Sequence, residues 1–127
     1  MHWADFAAKT LAQRGSKHII ASGITPSGEF HIGHLREILT GDMITRACKD
    51  AGLEAEFVFI VDTADPLRKV YPFLSEEYSK YIGCPLAKIP APDENGKPSN
   101  GERNYAEHFL DPFLKALEQI DVRPRII

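Results

Sequence analysis

Two histidines bracket a glycine in the run His31-Ile32-Gly33-His34, which follows a Pro26-Ser27-Gly28 turn in a chain of 127 residues. Imidazoles three residues apart share one face of a helix, and the surrounding sequence says that a helix starts here. Leu35, Ile38, Leu39, Met43, Ile44 and Ala47 recur downstream at helical period, whereas His18-Ile19-Ile20-Ala21-Ser22-Gly23 upstream reads as a short buried strand. The histidine pair is therefore expected on the first helical turn, where backbone N–H groups lack intrahelical partners and the peptide dipoles end positive. A phosphate chain set against that end is stabilised, which makes this strand–loop–helix junction a candidate ATP site. The four-residue run arises by chance in roughly one chain per several thousand of this length at ordinary residue frequencies. A lone histidine at a helix start reads as a cap; the pair around Gly33 reads as a ligand site.

The elements that must position these residues are legible as periodicities. Trp3, Phe6, Ala7, Thr10 and Leu11 are helically spaced over Trp3 to Arg14, with Gly15 as the stop. The long helix runs from about Gly33 to Ala51 and ends at Gly52, and Ala55-Glu56-Phe57-Val58-Phe59-Ile60-Val61 reads as a second strand. A helical crossover between two strands implies a parallel pair, so the expected class is α/β: the first half of a Rossmann-like doubly wound parallel sheet with flanking helices. Ligands of such sheets bind beyond the carboxyl ends of the strands, where Gly23 and Asp62 fall. Ser75-Glu76-Glu77 caps a short helix to about Tyr81, stopped by Gly83-Cys84-Pro85. Residues 90–103, rich in Pro, Asn, Gly and Asp and without hydrophobic period, read as an exposed loop or insertion. Ala106, Phe109, Leu110, Phe113, Leu114 and Leu117 then make an amphipathic helix despite Pro112, and Arg125-Ile126-Ile127 begins a third strand. Trp3, Phe6, Tyr71, Phe73, Phe109 and Phe113 are expected in the core because they lie at amphipathic spacing.

Composition narrows the function classes. Hydrophobic residues make up 43% and charged residues 26%, the balance of an ordinary globular domain. Fifteen Lys and Arg against eighteen Asp and Glu give a net charge of −3, which excludes a self-sufficient nucleic-acid binder with a basic face. Contact with RNA would fall to local clusters such as Arg68-Lys69 or Arg123-Pro124-Arg125, or to chain beyond this one. No apolar run is long enough to span a bilayer, and Met1-His2-Trp3-Ala4-Asp5 lacks the basic and apolar blocks of a secretory leader. No membrane partner and a cytoplasmic location are expected. Cys48 and Cys84 form no C-x-x-C pair and read as buried or incidental thiols. Glu107-His108 has no second ligand pair at metal spacing, so His108 is read as structural and no metal site is expected.

Three runs together carry a family resemblance: Ala21-Ser22-Gly23-Ile24-Thr25-Pro26-Ser27-Gly28 followed by His31-Ile32-Gly33-His34, then Asp65-Pro66-Leu67-Arg68-Lys69-Val70-Tyr71-Pro72-Phe73-Leu74, then Tyr105-Ala106-Glu107-His108-Phe109-Leu110-Asp111-Pro112-Phe113. The first resembles the opening signature of class I aminoacyl-tRNA synthetases, and all three together resemble the amino-terminal part of a class I lysyl-tRNA synthetase. The resemblance implies that residues 1–127 are the amino-terminal portion of the catalytic, nucleotide-binding domain of a lysine–tRNA ligase. It implies ATP, with Mg2+, as cofactor, and lysine and tRNA(Lys) as partners, the tRNA engaged mainly by regions outside this chain. In the implied reaction the lysine carboxylate forms a bond to the α-phosphorus as pyrophosphate leaves, and lysyl-adenylate then passes its lysine to tRNA. The resemblance further implies that activation requires bound tRNA. Catalysis of that kind is positioning plus stabilisation of phosphate charge.

By the same resemblance His31 and His34 are the catalytic pair, meeting phosphate and ribose. Thr25, Pro26, Ser27, Gly28, His31, Gly33 and His34 form the nucleotide site, with Gly33 leaving room for adenine against the helix backbone. Gly23 and Thr25 border the amino-acid pocket. Asp62 and Asp65 have two readings: counter-charges for the lysine ammonium, since a buried cation needs an anionic partner, or caps of a turn. The family's lysine-bearing KMSKS loop and its anticodon-binding region do not occur in this chain. Three alternatives stay open: a glutamyl-type class I synthetase, which shares the Pro-Ser-Gly and histidine elements; a small nucleotidyltransferase, which needs a second phosphate loop; and a non-catalytic synthetase-like nucleotide-binding or interaction module.

Overall fold

Three strands in the order β1-β2-β3, all parallel, form the sheet of the computed structural model, which describes all 127 residues. The elements run α1 (Trp3–Ala12), β1 (Lys17–Ile24), α2 (Ile32–Asp50), β2 (Glu54–Val61), α3 (Tyr105–Gln119) and β3 (Arg125–Ile126), with two short 3-10 turns at Glu76–Tyr81 and Leu86–Lys88. The expected α/β class and parallel pairing are therefore present. β1 pairs with β2 in continuous register from Lys17 opposite Glu54 to Ile24 opposite Val61. No helix is long and apolar enough to cross a membrane. The chain divides into two compact units: Met1–Ile24 with His31–Val61 and Leu117–Ile127, and Thr25–Phe30 with Asp62–Ala116.

In the first unit, α2 packs closely on β2 because Gly41 has no side chain. A Cβ there would stand 2.6 Å from the Phe57 ring, and Thr45, one turn on, is buried with its hydroxyl donating to the Gly41 carbonyl at 2.8 Å. Phe57, Val58 and Phe59 are the buried residues of β2. β1 departs from the expected fully buried strand. His18 and Ile20 are half-buried and Ser22 is buried on one face, while Ile19 is 67% exposed on the other, with Ala21 and Gly23 also exposed. Alternation of this kind is what a strand shows when only one face is covered.

The core prediction for α1 also needs correction. Trp3 is 48% and Phe6 68% exposed, because the helix buries Ala4 and Ala8, with Leu11 beside them, against Ala47, Cys48 and Ile44 of α2. Ala4, Ala8 and Leu11 and the Trp3, Phe6, Thr10 stripe are both helically spaced, and small residues permit the closer helix approach. Cys48 is fully buried, which raises its thiol pKa.

The second unit has its own core of Leu67, Leu74, Tyr78, Leu86, Ile89, Tyr105, Ala106 and Phe109. Ser75 caps the 3-10 turn from Glu76, and Gly83 ends it with φ +90°, as its sequence position anticipates. In this unit α3 buries Tyr105, Ala106, Phe109 and Phe113 along one face. Of the aromatic residues expected in the core, Phe109 and Phe113 are buried, Tyr71 is half-buried and Phe73 is 47% exposed.

Residues 93–95 and 100–103 of the loop are exposed, while Ala91, Pro92 and Gly96 are buried. The Asp93 carboxylate accepts from the Asn95 and Lys97 amides at 2.9 and 3.0 Å, and the Ser75 amide donates to the Gly96 carbonyl at 2.8 Å. The Tyr78 hydroxyl donates to the Pro90 carbonyl at 2.9 Å. Burial, with Tyr81 and Asp93 adding, pushes that phenol up to about 12.

Candidate functional site

The start of α2 is built by its own histidines. His31 is the N-cap, with extended backbone (φ −137°, ψ −179°). Its Nδ1 accepts the Gly33 amide at 3.0 Å, and its own amide donates to Nδ1 of His34 at 3.1 Å. Each imidazole therefore takes the part that Ser, Asp or Glu usually plays in a reciprocal cap. Because both Nδ1 atoms accept, each neutral ring carries its proton on Nε2.

The rings stack with centroids 4.0 Å apart and planes 19° from parallel. His31 is exposed and His34 half-buried. Burial lowers the His34 pKa, the neighbouring His31 lowers it further, and Glu37 partly opposes both. In this tautomer the pair carries its two ring N–H groups at the positive end of a 19-residue helix. Such an arrangement suits an anion with several oxygens, and phosphate above all.

Two details of the helix start bear on the sequence reading. The first-turn amide of Gly33 is already spent on His31, and the His34 amide donates to the His31 carbonyl at 3.0 Å. An anion would thus be met by imidazole N–H groups together with the dipole, rather than by those two amides. The side of Gly33 on which a Cβ would stand faces the His31 ring. A Cβ on Gly33 would lie 2.8 Å from His31 Cε1 and 2.9 Å from Nδ1, so the glycine is required by the cap itself.

At the end of β1, Gly23 lies opposite Ile60, whose carbonyl oxygen would be 3.1 Å from a Cβ at that position. One residue earlier, the Ser22 hydroxyl donates to Glu37 Oε1 at 3.2 Å. Ser22 and Glu37 line a groove of about 470 Å3 that also takes in Gly33, Thr40 and Gly41. The sequence reading missed this pair; Glu37 is one helical turn after His34, and that spacing was the available signal.

In the second unit, Pro26 is fully buried and Thr25, Ser27 and Gly28 are half-buried. The Ser27 amide donates to the Thr25 carbonyl at 2.8 Å, and the Ser27 carbonyl accepts from the Tyr105 hydroxyl at 2.5 Å. A Cβ on Gly28 would stand 3.1 Å from Cζ of Phe73. Asp62 accepts the Asp65 amide at 3.0 Å, and the Asp65 carboxylate pairs with Arg68 at 3.3 Å. Both aspartates thus take part in the turn that follows β2.

Tyr105 and Phe73 were not anticipated as partners of the Pro-Ser-Gly run. The signal was their presence in the two other motif runs. His108 sits edge-on to the Phe109 ring at 4.8 Å. No three His, Cys, Asp or Glu side chains stand close enough together to hold a metal ion.

The whole chain, residues 1–127, matches the family described as tRNA synthetases class I (K). Among its relatives, the "Lysine--tRNA ligase" of Methanosarcina barkeri is 48% identical over 126 residues, 99% of this chain and 22% of that protein. The "Lysine--tRNA ligase" of Archaeoglobus fulgidus is 52% identical over 122 residues, 96% of this chain and 24% of the relative. That of Methanocaldococcus jannaschii is 49% identical over 124 residues, again 96% of this chain, and 22% of the relative. The chain thus spans less than a quarter of the length of these curated relatives.

Proposed function

Starting from the fact that the chain belongs to the class I (K) family of tRNA synthetases, we propose that it is the amino-terminal portion of an enzyme that activates lysine with ATP and attaches it to tRNA(Lys). The observation that carries this reading is the paired-imidazole cap of α2, in which His31 and His34 fix each other through Nδ1. Both then offer Nε2–H to phosphate oxygens. When the lysine carboxylate attacks the α-phosphorus and the bond to pyrophosphate breaks, negative charge redistributes over those oxygens. Fixed donors there lower the barrier because they need no reorganisation.

In this reading His31 and His34 are catalytic, and Thr25, Pro26, Ser27 and Gly28 line the path of the nucleotide phosphates. Gly33 serves by admitting the His31 ring. Gly23 and Thr25 border the lysine. Asp62 and Asp65 supply negative charge toward the lysine ammonium in addition to their turn contacts. Mg2+ would arrive with the nucleotide phosphates, since the chain offers no three-ligand group for it. The enzyme so described works in the cytoplasm.

The test is lysine-dependent ATP–pyrophosphate exchange by the full-length protein in the presence of tRNA(Lys). Exchange with lysine but not glutamate is the expected result; exchange with glutamate alone would reassign the substrate. Asp62→Asn is expected to raise the KM for lysine while leaving that for ATP unchanged, and an unmoved lysine KM would leave Asp62 with the turn alone.

A further inference from the structure

We propose that Tyr105 is a positioning residue for the Thr25–Gly28 loop, setting the Ser27–Gly28 peptide for nucleotide binding from the buried side; this rests on the reading that the loop meets ATP. Tyr105 opens α3 and is fully buried, yet its hydroxyl reaches back 78 residues to donate to the Ser27 carbonyl at 2.5 Å. A buried hydroxyl without a partner is costly, so burial and hydrogen bond select the same loop conformation.

The geometry of the peptide gives this bond its consequence. A trans peptide is planar, with C=O and N–H pointing in opposite directions. Once the Ser27 carbonyl is turned to Tyr105, the Gly28 N–H must point away from the buried hydroxyl. An amide so aimed is the kind of donor that loops use to hold phosphate. Burial, with smaller contributions from Tyr71 and Tyr78, raises the Tyr105 phenol pKa, so the hydroxyl remains a donor across the working pH range.

A second brace acts on the neighbouring Cα. The Phe73 ring covers Gly28 so closely that a Cβ would lie 3.1 Å and 3.3 Å from its edge atoms. Phe73 is held in turn by a parallel stack on Tyr71 at 5.6 Å and an edge contact with Phe109 at 5.6 Å. Phe109 then contacts Tyr105 at 4.8 Å. The braces come from the two runs, Asp65–Leu74 and Tyr105–Phe113, to which the nucleotide chemistry gives little direct part. Their role is to hold the loop.

The experiment measures KM for ATP and for lysine separately, by pyrophosphate exchange with the full-length protein and tRNA(Lys), alongside the melting temperature. Tyr105→Phe removes only the hydroxyl. KM for ATP is expected to rise about tenfold, the equivalent of one hydrogen bond's worth of alignment, while KM for lysine stays within about twofold. A lowered melting temperature with both KM values unmoved would reduce Tyr105 to a core residue and overturn the proposal.

Gly28→Ala, alone and combined with Phe73→Leu, keeps the test open should Tyr105→Phe fail to fold. Gly28→Ala is expected to raise KM for ATP, and the smaller Phe73→Leu side chain to bring it back toward the original value. Failure of the double variant to recover would remove the second brace. Absence of lysine-dependent exchange in the unaltered protein would instead defeat the functional reading, an outcome distinct from either of these.

Discussion

The two stretches that flank the Phe30–His31 boundary are held in opposite ways. The start of α2 is closed by partners two and three residues away: His31 Nδ1 on the Gly33 amide and His34 Nδ1 on the His31 amide. The Thr25–Phe30 loop has a short Ser27-to-Thr25 contact of its own but is fixed from far along the chain, by the Tyr105 hydroxyl on Ser27, Phe73 over Gly28, and Phe113 against Phe30 at 5.2 Å. Local closure survives as long as the helix does, whereas the loop keeps its shape only while the core around Tyr105 is intact.

Substitutions can break this contrast in graded fashion. His34→Ala removes both a Nε2–H donor and half of the reciprocal cap. It is expected to lower kcat/KM for pyrophosphate exchange about 10²-fold, the usual loss for one preorganised donor, while unfolding free energy falls by only about 1 kcal/mol. Unchanged exchange would take His34 out of the site.

Gly96→Ala acts on the distant support. Gly96 has φ +76°, and a Cβ there would fall on the Phe73 carbonyl oxygen. A loss of about 1–3 kcal/mol is expected by denaturant unfolding, from backbone strain at a position suited to glycine. A neutral outcome would mean that the loop after Pro92 contributes nothing to holding Phe73.

Gly33→Ala sharpens the local side. The new Cβ must displace the His31 ring, and the loss of the N-cap should cost about 1 kcal/mol in stability. An unaltered melting curve would show that the His31 cap is energetically idle.

The smallest effect concerns pH. His34 is held below the ordinary value of 6.5, first by burial and then by His31. Its neutral form is favoured in the folded state, so unfolding takes up a proton between the folded value and 6.5. This contribution to stability is fully present above about pH 6.5 and is lost as pH falls toward the folded value. The drop between pH 7 and pH 5 should shrink in His34→Asn, whose side chain accepts the same amide without titrating. An equal drop in both proteins would assign the pH dependence to other groups.

How much of this was legible in the sequence follows the same division between near and far. The helix start, β1 and β2, the Ser75 cap and the Gly83 stop are written in residues a few positions apart, and periodicity finds them. The side chains that brace Ser27 and Gly28 are not, because nothing within a short window says that Tyr105 reaches Ser27. They surfaced only as membership in motif runs without an assigned contact. α1 shows a different limit: two helical stripes compete there, and hydrophobicity favours Trp3 and Phe6. Close approach to Ala47 and Cys48 instead selects Ala4 and Ala8, a choice of size that no periodicity contains. At Gly33 the structure adds a local reason for glycine, since the ring that a Cβ would meet lies only two residues away.

If the first turn of α2 meets a nucleotide as proposed, the reciprocal imidazole cap leaves it nothing to organise on binding. Both rings are already held by the cap, so little ordering entropy would be lost on binding. Hydrogen exchange at the His31 and Gly33 amides should accordingly be slow before ATP is added and change little afterwards.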